Sequence, residues 1–221
     1  GIWKNIGQRS YFYEYSRFGS LFKLLQECHT YYILGYTLIR LLLVVSFCFV
    51  LGILLAVLSN ISIEFKLFLK PVVALLKTLP LMVIIILLLF MLEDNAYYYI
   101  VGLVIFPIIY EGVLNGLETI DKNMLEEVKM LSNTNMLVIK DIYLPLTFPH
   151  ILTSLLQSFG LGLKVLVMAE FISNASPSIG NEIIYYKNDL GEMSYVYAWS
   201  IILVLFVLII PFVHYLFSWA F

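Results

Sequence analysis

With 62% apolar residues, 16% aromatics and only 13% charged residues over 221 positions, and a mean hydropathy of +0.94, the chain has too few solvating groups for a water-soluble domain. Its length suits one membrane domain of about five or six spanning helices, with no room for a second folded domain. A net charge of -2 without a long basic run argues against nucleic acid as a partner, and two cysteines, Cys28 and Cys48, in or beside apolar sequence argue against a disulfide framework or a zinc site.

Residues 1–28 carry Lys4, Arg9, Arg17 and Lys23 among Trp3, Tyr11, Phe12 and Phe18, too polar a mixture to span, so residues 1–30 are read as an interfacial N-terminal segment. The chain starts at Gly1 rather than Met, and a sixth span upstream is part of the expectation. From Tyr31 to Ser59 there is one charge, Arg40, in a stretch long enough for about 43 Å of tilted helix. The segment from Phe65 to Leu92 holds Lys66, Lys70, Pro71, Lys77 and Pro80 before the apolar run Leu81–Leu92, which predicts an oblique entry and a kink near Pro80. Glu93, Asp94 and Asn95 make a polar turn, Tyr97, Tyr98 and Tyr99 fit an aromatic belt, and a third span runs from there to about Asn115.

Residues 116–144 break the apolar pattern with Glu118, Asp121, Lys122, Glu126, Glu127, Lys129, Lys140 and Asp141, and are read as a loop in water. Met124, Leu125, Val128 and Leu131 follow helical spacing with Asp121 as a cap; Ser132, Asn133 and Thr134 interrupt it, and Met136, Leu137, Ile139 and Ile142 resume it. The expectation is two short helices meeting at a polar bend. A fourth span covers roughly Phe148 to Ile172, a polar loop runs from Ser173 to Met193, and a fifth span runs from Tyr195 to Trp219.

This loop resembles the EAA motif of the permease subunits of bacterial ATP-binding-cassette importers, in which Glu-Ala-Ala is followed by Gly and then Ile-x-Leu-Pro at fixed distances. Glu126, Glu127, Val128, Ser132 and Ile142-Tyr143-Leu144-Pro145 stand at those positions; Glu127 and Val128 replace the two small residues and Ser132 replaces the glycine. Lys70 to Pro80 looks like the proline-flanked segment of the nitrate, sulfonate and taurine branch, and Gly160-Leu161-Gly162-Leu163-Lys164 through Ala169-Glu170 is similar to its penultimate helix. Ser178-Ile179-Gly180 and Tyr197 to Ile202 look like relatives proposed to import thiamine-precursor pyrimidines.

The resemblance covers about residues 30–219 and implies an all-α membrane protein of the MetI-like type I importer permease fold. Its transmembrane domain is 31–219, with 118–145 as a cytoplasmic coupling loop. It implies ATPase coupling through Glu126, Glu127, Val128, Leu131, Ser132, Ile142, Leu144 and Pro145. The implied partners are ATPase subunits, a second permease copy as a homodimer, an extracytoplasmic substrate-binding protein and the lipid bilayer, in the plasma membrane of a bacterium.

No G-x-x-x-x-G-K-[ST] loop occurs, so ATP and Mg are expected on the partner ATPase, with no cofactor and no catalytic residue on this chain. A cytoplasmic 118–145 loop puts Lys66, Lys70 and Lys77 on the positive-inside face but the basic residues 1–28 outside.

Ionisable groups within spans are costly unless they face a cavity or a partner, which nominates Lys164, Glu170 and Arg40 for a translocation pathway. Lys164 and Glu170 lie roughly 120° apart around one helix and are not expected to pair with each other. For both, a second reading stands: Glu170 near the outer helix end and Lys164 snorkelling to an interface. Arg40, with Thr37 and Tyr36, meets substrate on one reading and snorkels on the other. Gly160 and Gly162 read as close-packing positions. His29, His150 and His214 lack ligand spacing, so no metal is expected. Glu182, Asp189 and Glu192 read either as contacts for a binding protein or as a solvated loop face.

Neither a paired His and acid, nor HExxH, nor Gly-x-Ser-x-Gly is present for an intramembrane enzyme. The rival retained is an ion-gradient-driven secondary transporter, with the broken segment around Pro71 and Pro80 and with Lys164 and Glu170 forming the ion site.

Overall fold

The computed structural model describes residues 19–92, 95–120 and 144–220, with side chains given to residue 209 in the last helix. Among the described residues all regular structure is helical. After a helical stretch over 19–26 come α1 (Cys28–Ile61), α2 (Ile63–Thr78), α3 (Leu81–Leu92), α4 (Ala96–Glu118), α5 (Leu144–Ser173), the short α6 (Ile179–Ile184), a π-helical turn (Tyr185–Asp189) and α7 (Met193–Ala220). Three described helices, α1, α4 and the Pro145–Ser173 part of α5, are long and apolar enough to cross a membrane, and the bent pair α2–α3 makes a fourth if counted as one span. The last helix, α7, is 28 residues long. The expected Tyr31–Ser59, Tyr97–Asn115 and Phe148–Ile172 spans thus fall inside α1, α4 and α5, each of which extends further.

The chain divides into two compact units, one of residues 1–40 and 166–221 and the other of residues 41–165. In the second unit, α1 gives way to α2 at a single residue. Ser62 is extended, and its hydroxyl accepts from the Phe65 N–H at 3.3 Å, satisfying one of the free donors at the start of α2. Glu64 in the first turn and Lys77 in the last complement the helix dipole.

The expected kink near Pro80 is a full break. Leu79 adopts φ -64° and ψ 132°, because the proline ring excludes the helical region for the residue before it, and α3 leaves at 97° to α2. Pro71, expected to share in the disruption, is accommodated inside α2.

α4 is the hub of this unit and packs against both α2 and α3. Its Ile100, Val101, Ile105 and Ile109 are fully buried. Within the core, Tyr110 donates its hydroxyl hydrogen to Ser59 Oγ at 2.8 Å. Gly162 of α5 lies so close to its neighbours that an added Cβ would come 2.9 Å from Leu41 Cδ1 and 3.3 Å from Ile105 Cγ2, whereas Gly160 faces open space. The expected packing role therefore belongs to Gly162 and not to Gly160. Outward, Phe47, Phe68 and Phe90 are exposed, a surface that suits hydrocarbon.

In the first unit, α5 ends where Asn174 takes φ +55° and the Ala175 N–H bonds to the Glu170 carbonyl at 3.2 Å, a Schellman-type closure. The stretch expected as a plain polar loop from Ser173 to Met193 is instead ordered. Ser178 caps α6 by accepting from the Asn181 N–H at 3.0 Å, Ile179 and Gly180 are buried, and Tyr186 stacks on Tyr195 with ring centroids 4.7 Å apart. The signal was in the residues: a capping serine ahead of an apolar pair and two tyrosines.

Candidate functional site

Two polar constellations stand out in this apolar chain. In the first unit, Thr37 and Arg40 occupy the same face of α1 and meet Glu170 of α5. Arg40 Nη1 donates to Glu170 Oε1 at 3.1 Å and to the carbonyl oxygen of Pro177 at 3.1 Å. The Thr37 hydroxyl lies 3.3 Å and 3.4 Å from the two carboxylate oxygens and accepts from the Ile179 N–H at 3.4 Å. The Glu170 side chain has no exposed surface, and the Tyr36 ring lies over the guanidinium at 5.3 Å. A buried carboxylate survives only when paired and hydrogen-bonded. Here one arginine both neutralises it and holds the Pro177 backbone.

Gly180 makes this approach possible, since an added Cβ would collide with the backbone of Phe171 and Glu170. The arrangement is chemically a pin: it ties the Pro177–Gly180 segment to α1 and α5 and offers no ionised group to solvent. For Arg40 the snorkelling reading gives way to a buried pair with Glu170, which lies in the last turn of α5. Lys164 is exposed, and among the described residues it forms no ion pair. Glu182 lies 3.5 Å from His29.

The second constellation is a cleft of about 470 Å³ in the second unit. α2 contributes Lys77, α4 contributes Glu111 and Asn115, and α5 contributes His150, Ser154 and Gln157. Lys77 Nζ donates to Glu111 Oε2 at 2.7 Å, with half of the lysine side chain and 39% of the glutamate side chain exposed. Toward the helix ends, Lys66 pairs with Glu118, so α2 runs antiparallel to α4 with two charged rungs between them. Glu111 lies about 10 Å along α4 from Glu118 at the helical rise, inside the span. A half-exposed ion pair at that depth requires water or a polar partner beside it, because hydrocarbon would solvate neither charge.

From sequence, none of Glu111, Asn115, Ser154 or Gln157 is singled out; Lys77 is taken as a positive-inside charge and His150 as a helix-end histidine without ligand spacing. The signal was periodic. Glu111 and Asn115 recur at helical spacing on α4, as do His150, Thr153, Ser154 and Gln157 on α5, so polar residues share one face of each helix.

The expected coupling residues Glu126, Glu127, Val128, Leu131, Ser132 and Ile142 lie outside the described residues, and Leu144 and Pro145 form the first turn of α5. Proline suits that place, where its missing N–H would have no helical partner. Among the described residues no three His, Cys, Asp or Glu side chains gather as a metal site.

The fold is similar to that of a chain of the MetNI methionine ABC transporter in its inward-facing conformation. Against the CY5 native crystal form the TM-score is 0.68 at 17% identity, covering 85% of this chain and 95% of that one. Against the CY5 selenomethionine-soak crystal form it is 0.69 at 16% identity, covering 84% and 92%. Among curated protein sequences, none matches. The fold is that of a MetI-like type I importer permease, integral to a membrane. A family model matches residues 48–219, and the chain belongs to the binding-protein-dependent transport system inner membrane components, as a permease component of an ABC importer.

Proposed function

We propose that this permease forms half of the pathway of an ATP-driven importer in a bacterial plasma membrane, pairs with a second copy of itself, and receives a small polar or anionic solute from an extracytoplasmic binding protein. The single observation that carries the pathway is the cleft at Lys77, Glu111, Asn115, His150 and Gln157, a polar lining built partly from two helices long and apolar enough to span. Arg40 and Glu170 serve the pathway through the Pro177–Gly180 segment they hold, and exposed Lys164 is a further lining group.

Coupling to separate ATPase subunits runs through the 118–145 loop, with Glu126, Glu127, Val128, Leu131, Ser132, Ile142, Leu144 and Pro145 as its docking residues. The partner binds ATP and Mg, and its closure moves the loop and switches access between the two sides. The MetNI neighbours, named as a methionine ABC transporter, support this arrangement by their fold. The cargo class follows from the resemblance of Lys70 to Pro80 and of Gly160 to Glu170 to the nitrate, sulfonate and taurine branch, and of Tyr197 to Ile202 to the thiamine-precursor branch.

An ion-gradient-driven transporter is the competing reading, favoured by the 97° break between α2 and α3 beside the Lys77–Glu111 pair. Uptake into right-side-out vesicles, loaded with ATP or without it, separates them. The proposal expects uptake that requires ATP and persists when ionophores collapse the ion gradients; uptake that follows the gradient without ATP supports the rival and contradicts the proposal.

A further inference from the structure

We propose that the Lys77–Glu111 cleft is a transit site selective for small zwitterions, solutes carrying one anionic and one cationic group; the inference rests on the permease reading and specifies its cargo. The cleft, at about 470 Å³, falls in the size range of small-molecule sites, about 300–1,000 Å³. Its two charged groups touch at 2.7 Å, and both keep exposed surface, so each is accessible to a solute while already neutralised by the other.

That pairing decides which solute gains by entering. A lone anion would draw Lys77 away and leave Glu111 unpaired beside a like charge, and a lone cation would leave Lys77 in the same state. A neutral solute must compete with an existing ion pair for its hydrogen bonds. A zwitterion inserted between the two side chains replaces one ion pair with two, ammonium on Glu111 and anionic group on Lys77, and leaves the net charge at that depth unchanged. The Asn115 and Gln157 amides each donate and accept, so they complete the hydrogen bonds of either end without favouring one sign.

Other ion pairs among the described residues do not offer this. Glu170 has no exposed surface and Arg40 is committed to it and to Pro177, while the Lys66–Glu118 and His29–Glu182 pairs are not among the residues that line the cleft.

The test is equilibrium binding of radiolabelled 2-aminoethanesulfonate to the full chain in lipid nanodiscs with its co-purifying subunits and without any binding protein, competed by ethanesulfonate or ethylamine. The expected result is saturable binding that the unlabelled zwitterion displaces at concentrations at least about tenfold below those needed of either single-charge probe. Lys77→Gln and Glu111→Gln should each weaken binding by about tenfold or more, with Lys77→Arg retaining it. Equal displacement by the three probes, or no saturable binding to the monodisperse wild-type chain, overturns the inference without needing any variant. If an ATPase subunit co-purifies and the zwitterion preference is absent, the selectivity claim alone is lost. If no ATPase subunit accompanies the chain, the reading beneath it is lost.

Discussion

Arg40 and Glu170, on two different helices, form a buried ion pair at 3.1 Å in which the arginine also holds the Pro177 carbonyl oxygen. The pair lies in an apolar unit, so neither partner can be removed without leaving the other desolvated. Arg40→Met is expected to cost about 3–5 kcal/mol, whereas Arg40→Met with Glu170→Leu should recover much of the loss because no orphan charge remains. Thermal midpoints by size-exclusion in detergent check this; a single variant as stable as wild type contradicts the pinning role.

Gly162 and Gly160 form an internal comparison on one helix. Gly162→Leu must push into Leu41 and Ile105 and should destabilise by about 1–3 kcal/mol, while Gly160→Ala meets open space and should be near neutral. The same melting assay reads both. Equal effects at the two positions would sink the packing assignment.

Tyr110→Phe removes the donor to buried Ser59 and should cost about 0.5–1.5 kcal/mol. By contrast, Glu118→Gln at the exposed Lys66 pair should cost less than about 1 kcal/mol, since water already solvates both charges. A double-mutant cycle across each pair measures the two coupling energies, and a larger coupling for Lys66 and Glu118 would reverse the predicted order.

Glu126→Lys should abolish ATP-dependent uptake by reversing charge in the proposed docking loop while the membrane-embedded part stays folded. Uptake and the elution profile of the variant are the paired readouts. Wild-type uptake in that variant would remove Glu126 from the coupling set.

Much of the fold was legible because lipid imposes simple rules: apolar runs long enough to span locate α1, α4 and α5 directly, and Pro80 with the polar turn after Leu92 bounds the shorter α3. The sharpness of the break at Leu79 was not, since a proline limits the preceding residue but does not set the 97° angle. Glu170 and Arg40 were recognisable as costly intramembrane charges, yet their partnership was hidden by the long separation in sequence. The cleft was missed for another reason. Glu111 is the one acid of α4 away from its end, and its meaning appears only when Lys77 of another helix is brought to 2.7 Å.

Coupling of this permease to a separate ATPase is read most plainly from affinity purification of the tagged chain from solubilised membranes, repeated with residues 121–143 scrambled. It predicts a stoichiometric nucleotide-binding subunit with the wild-type chain and its loss with the scrambled one. A chain that purifies without such a subunit, or one that keeps it after scrambling, would contradict coupling through that loop.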